Sequence, residues 1–176
     1  RIADLVFERL TGIPGAFSTR IAYVAVDGKP PAQRYRLIVA DADGYNPRTV
    51  LESREPIMSP AWSPDGQNLA YVSFESKVSA VYVQQLTTGQ RSRVSARAGI
   101  NGAPAWSPDG ETIAYHAKAV GGVWLIPALG GVPRQLTTFG SRPSFAPDGS
   151  AVVLESGSIV DFAANSLGAL PPSVLW

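Results

Sequence analysis

One phrase, written three times, limits what this chain can fold into. It reads Pro60-Ala61-Trp62-Ser63-Pro64-Asp65-Gly66, then Pro104-Ala105-Trp106-Ser107-Pro108-Asp109-Gly110, then Pro143-Ser144-Phe145-Ala146-Pro147-Asp148-Gly149. Its aromatic residues stand 44 and then 39 positions apart. Each copy runs into a short apolar stretch: Leu69-Ala70-Tyr71-Val72, Ile113-Ala114-Tyr115-His116 and Val152-Val153-Leu154. A period of about 40 residues built from strand and turn signals predicts an all-β chain, a β-propeller in which each repeat is one four-stranded blade.

The phrase itself reads as architecture. Proline presets the first φ of a turn, aspartate bonds the nearby backbone, and glycine takes the position that needs φ > 0. Asp65, Asp109 and Asp148, with Gly66, Gly110 and Gly149, are therefore assigned to turns rather than to acid–base chemistry. Trp62, Trp106 and Phe145 precede these turns on the inner strand and are assigned to the core between blades.

The remaining strands recur with the same spacing. Arg20-Ile21-Ala22-Tyr23-Val24 matches the run that follows each phrase, so the first repeat enters without its innermost strand. Tyr35 to Ala40 alternates, with Tyr35, Leu37 and Val39 on one face. Hairpin glycines at 44, 89 and 131 repeat the period at 45 and 42 residues. In the last repeat, Ile159 to Phe162 reads as a third strand and Ser166-Leu167-Gly168 as its turn, while Pro171-Pro172 suits only an outer edge strand or no strand. Before the repeats, Ile2, Leu5, Val6 and Leu10 fall at helical spacing, with Gly12 and Pro14 as stops. The expected organisation is a short helix and linker over 1–17 and propeller repeats over 18–176, in units 20–55, 56–98, 99–139 and 140–176.

Composition narrows the function. Apolar residues make up 45% and charged residues 16%, as in a globular chain. A net charge of +1 gives no electrostatic case for nucleic acid. No apolar run is long enough to span a bilayer as a helix. With 0 cysteines there is no disulfide or thiolate chemistry. The lone histidine, His116, takes the repeat position of Val72 and reads as a strand residue. Asp41-Ala42-Asp43-Gly44 begins like a calcium loop but lacks the later acidic ligand, so it reads as a hairpin. Gly121, Gly122, Gly130 and Gly131 precede no Lys-Ser/Thr and no helix, so they form no phosphate loop. Neither a catalytic residue nor a metal or cofactor is assigned.

Several less repetitive stretches resemble the TolB propeller family of the Tol–Pal cell-envelope system. They are Val6-Phe7-Glu8-Arg9-Leu10-Thr11-Gly12-Ile13-Pro14-Gly15-Ala16-Phe17, Thr19 to Val24, Asp43-Gly44-Tyr45-Asn46, Met58 to Gly66, Leu69 to Ser76, and Asn101 to Ala105. After about Lys118 the similarity is to TolB-like and peptidase-associated repeats in general. The resemblance implies a six-bladed periplasmic propeller that follows an α/β domain and binds the lipoprotein Pal on one face. This chain holds about four blade units, and Ile100 stands where family members often carry histidine.

Loops that enter the inner strands gather at one mouth of a propeller, where repeat proteins commonly bind. By the resemblance this mouth includes Met58, Ser59, Ile100, Asn101, Ser141 and Arg142. Met58 and Ile100 are apolar candidates for a protein contact, and Arg142 is a candidate anchor; the alternative is that they close the top of the core. The expected role is a non-enzymatic scaffold for a Pal-type lipoprotein, located in the periplasm. Open terminal blade faces would allow a homo-oligomer. The alternatives are the non-catalytic propeller of a prolyl-oligopeptidase-like or tricorn-like peptidase, or a truncated or engineered piece that self-assembles.

Overall fold

A computed structural model describes residues 2–13, 19–95 and 101–155, together with the backbone of 158–161 and 166–169. Two compact units divide the chain at Arg54 and Glu55.

The first unit opens with helix α1 (Ile2–Thr11), none of whose residues is buried. The Gly12 amide donates to the Glu8 carbonyl at 2.8 Å, with Gly12 at φ 71°. Glycine adopts this left-handed ending without a Cβ penalty, which is why the helix stops there. Three antiparallel strands follow in the order β1 (Arg20–Asp27), β2 (Arg34–Asp41) and β3 (Arg48–Ser53). Among the described residues this sheet has three strands. Strand β2 departs from simple alternation, since Leu37, Ile38, Val39 and Ala40 are all buried. It is the central strand, and both of its faces are covered at this end.

The second unit stacks three sheets of four antiparallel strands. The first has the order β4 (Ile57–Trp62), β5 (Asn68–Ser73), β6 (Ala80–Gln85) and β7 (Arg91–Ser95). The second runs β8 (Asn101–Trp106), β9 (Thr112–Ala117), β10 (Val123–Pro127) and β11 (Arg134–Gln135). The third runs β12 (Ser144–Phe145), β13 (Ala151–Val153), β14 (Ser158–Asp161) and β15 (Ser166–Ala169). Each sheet is a simple meander, as strands joined by short turns dictate.

Period-two burial builds the core on both faces of the middle sheet. Ile113, Tyr115, Ala117 and Ile126 point toward the preceding sheet and pack with Ala70, Val81 and Val94. Ala114, Val123 and Leu125 point the other way and pack with Val152 and Leu154. Strand β8 lies against β4, β5 and β6 on one side and β12 on the other, so the inner strands are neighbours.

The last sheet corrects one expectation. Ser166, Leu167 and Gly168 do not form the turn; they pair with Asp161, Val160 and Ile159 as strand β15. Asp161 lies opposite Ser166 in this antiparallel pair. Phe162, Pro171 and Pro172 lie outside the described residues.

Candidate partner face and the repeated turn

The three Pro-Asp-Gly turns close in the same way. Gly66, Gly110 and Gly149 amides donate to the carbonyls of Ser63, Ser107 and Ala146, each at 2.9 Å, with glycine φ of 65°, 75° and 73°. Asp65 Oδ1 accepts from the Gln67 amide at 2.9 Å and from Ser63 Oγ at 2.5 Å. Asp109 Oδ1 accepts likewise from the Glu111 amide and Ser107 Oγ. In the third copy alanine replaces the buried serine, and Ser150 takes over: its amide and hydroxyl reach Asp148 Oδ1 at 3.0 and 2.7 Å.

These bonds hold all three carboxyls below their ordinary range. For Asp65 and Asp109 the serine hydroxyl is the leading cause and the backbone amide the next; for Asp148 the Ser150 amide leads and its hydroxyl follows. Such carboxylates stay ionised at neutral pH and serve the turn. A cleft of about 400 Å³ between the second unit's last two sheets is lined in part by Asp109, Arg134, Phe145 and Asp148. Two of its carboxylates are thus already engaged by the turns.

The aromatic of each phrase is half-buried. Trp106 packs on the cluster between the first two sheets of this unit, and its Nε1 donates to the Ala61 carbonyl at 3.1 Å. Phe145 packs on the next cluster. Successive turns also touch: Gly110 lies over Pro64, and Gly149 over Pro108.

At the opposite ends of the inner strands a second repeat appears that the primary structure does not advertise. Ser59, Ala103 and Arg142 all adopt positive φ, at 51°, 47° and 44°. They occupy one repeat position, each directly before proline, and in β4 and β8 they fall inside a register shift. The shift is a β-bulge that sets two residues of the inner strand opposite one of its neighbour. Non-glycine residues in this region carry backbone strain, which clusters at functional surfaces.

The predicted mouth residues divide around this bulge. Met58 is 51% exposed, and Ser59 beside it is also exposed. Ser141 Oγ donates to Glu155 Oε2 at 2.6 Å, and Arg142 Nη1 pairs with Glu155 Oε1 at 2.8 Å while its side chain stays 75% exposed. Asn101 is a correction: it is fully buried, its amide donating to Ser79 Oγ at 2.7 Å and its Nδ2 to the Ser79 carbonyl at 2.8 Å. A side chain so held offers no surface to a partner. Ile100 lies outside the described residues. Glu155 and Ala103 escaped the reading of the sequence; aligning the repeats would have found them, since Glu155 holds the position of His116 and Val72.

Other candidates resolve into structure. His116 is half-buried in β9, opposite Gly102 and Val123. The Asp41–Gly44 segment is a hairpin: the Gly44 amide donates to the Asp41 carbonyl, the Tyr45 amide to Asp43 Oδ1, and Asn46 Nδ2 to Asp41 Oδ2. No helix among the described residues is long and apolar enough to cross a membrane.

Comparison with known proteins agrees with this architecture. The model of the TolB beta propeller domain matches residues 7–158. A curated Tol-Pal system protein TolB from Methylococcus capsulatus is 63% identical over 103 residues, which is 58% of this chain and 24% of that protein. The chain thus spans about a quarter of the length of that relative. The crystal structure of TolB from Acinetobacter baumannii superposes with a TM-score of 0.88 at 39% identity, over 98% of this chain and 46% of that one. A puromycin-hydrolysing peptidase from Mycobacterium tuberculosis, at 17% identity and a TM-score of 0.63 over 91% of this chain and 30% of its own, shares the fold alone. By sequence and by fold, this chain belongs to the TolB β-propeller domain family.

Proposed function

We propose that the chain is a non-enzymatic propeller scaffold that works in the Tol–Pal cell-envelope system, in the periplasm, by binding a Pal-type lipoprotein. The observation that carries this reading is the 63% identity to a protein named for that system, over a stretch of 103 residues. The geometry supports it in a second way. Ser59 and Arg142 share one repeat position and a positive φ, and both are exposed, as is Met58 before Ser59. Methionine and arginine are among the residues that protein interfaces favour. In this reading Met58, Ser59, Ser141 and Arg142 meet the partner.

Isothermal titration of the 176-residue chain with the soluble domain of a Pal-type lipoprotein tests the reading. Saturable binding that Met58→Glu weakens at least about 10-fold, with an unchanged melting temperature, is the expected result. A folded sample that releases no heat of binding across the millimolar range would refute it.

A further inference from the structure

Two departures from the repeat fall on one cleft, the one of about 400 Å³ between the second unit's last two sheets. Its lining includes Asp109, Leu125, Arg134, Phe145 and Asp148. The first departure is the aromatic of the repeated phrase. Trp106 packs on the cluster between the first two sheets and donates its indole N–H to the Ala61 carbonyl; at the matching place between the last two stands Phe145. A phenyl ring is smaller than an indole and has no N–H, so it fills less of the space between its sheets.

The second departure is charge. Arg134 lies opposite Leu125 as Ser92 lies opposite Val83, and Leu125 and Val83 in turn lie opposite Ala114 and Ala70. An arginine thus holds the position that the preceding repeat gives to serine. Its guanidinium makes no ion pair and no hydrogen bond among the described residues. Asp109 and Asp148 accept their turn bonds on Oδ1, which leaves each a second carboxylate oxygen.

These groups select a ligand by charge. Two carboxylates and one guanidinium give the cleft a net negative charge, which disfavours phosphates. Two carboxylates are also few for a metal ion, and no group of three His, Cys, Asp or Glu among the described residues could hold one. The complement is a molecule with one carboxylate and two cationic groups on an aliphatic stem. We propose that the cleft binds a single basic α-amino acid, with its carboxylate on Arg134, its two cationic groups on Asp109 and Asp148, and its stem on the Phe145 ring. Charge-assisted hydrogen bonds orient such a ligand, and the cleft's volume is in the range of small-molecule sites. The inference does not rest on a lipoprotein partner, because the cleft is at the Pro-Asp-Gly end of the inner strands and Ser59 and Arg142 are at the other.

The test titrates L-lysine into the full chain and follows its amide resonances, against sodium chloride at matched ionic strength. The expected result is a saturable shift at Asp109, Gly110, Asp148 and Gly149 that the salt does not reproduce. Norleucine, which keeps the stem without the second cation, binds at least about 10-fold more weakly, and so does lysine to the variant Arg134→Gln. Phe145→Trp, which restores the aromatic of the other two copies, abolishes the shift without lowering the melting temperature. No saturable shift up to about 10 mM lysine overturns the inference. Equal binding of norleucine overturns it as well, as does unchanged binding to a folded Phe145→Trp or Arg134→Gln variant. Equal binding of Nα-acetyl-lysine amide also overturns it, because the cleft would then take a basic side chain of a polypeptide rather than a single amino acid.

Discussion

The indole Nε1 of Trp106 donates to the carbonyl of Ala61 at 3.1 Å, tying the inner strand of one sheet to that of the sheet before it. The carbonyl belongs to the residue that resumes pairing after the β4 bulge. Trp106→Phe keeps much of the packing and removes the bond, and is expected to cost about 1 kcal/mol. Trp106→Ala opens the cluster as well and should cost about 3 kcal/mol. Urea denaturation with an unchanged m-value checks both.

Tyr71 and Tyr115 share a repeat position and full burial but not a hydrogen bond. The Tyr71 hydroxyl donates to Gln84 Oε1 at 3.2 Å. Ile126 stands at the repeat position of Gln84, so the Tyr115 hydroxyl finds no partner among the described residues. Tyr115→Phe is expected to raise stability by about 1 kcal/mol, and Tyr71→Phe to lower it by about the same. Opposite signs in a pair of thermal melts would bear this out; equal signs would refute it.

Ala103 holds φ 47° without a glycine. Ala103→Gly removes the Cβ that makes this conformation costly and should stabilise by about 0.5 kcal/mol, whereas the β-branched Ala103→Val should destabilise by more than about 1 kcal/mol. Chemical denaturation of the two variants side by side is the measurement.

The three turn carboxylates predict the acid limb of stability. Their pKa values are lowered in the folded chain from the ordinary aspartate value of 3.8, so the folded state binds fewer protons than the unfolded state near that pH. Their stabilisation is present above that value and is lost as pH falls through the lower folded values. The melting temperature is therefore expected to fall on acidification below about pH 4, and the triple variant Asp65→Asn, Asp109→Asn, Asp148→Asn to show a shallower fall. A fall of identical steepness in the variant would remove these turns as its source.

Serine 63 tests the turn from its buried side. Its Oγ accepts from the Asn68 amide at 2.9 Å and donates to Asp65. Ser63→Ala leaves that amide short of a partner and should cost about 1 kcal/mol, while Ala146→Ser, which restores the serine of the other two copies, should gain a smaller amount.

Much of the fold is legible in the primary structure because its determinants are local. Pro-Asp-Gly sets each turn through φ preferences and a carboxylate two residues from its amide. Alternating apolar residues set each strand, and repetition at a period of about 40 residues sets the blade. Proline 14 and Gly12 announce the end of α1 for the same reason. What only the tertiary structure decided is long-range. Asn101 looks like an exposed loop residue until Ser79, 22 positions earlier, is brought beneath it. Glu155 meets Ser141 and Arg142 only when the strands bring it to them. The left-handed residue before each inner-strand proline has no compositional mark, since serine, alanine and arginine all fill it. A bulge arises from the count of residues between pairing strands, and that count exists only once the strands have met.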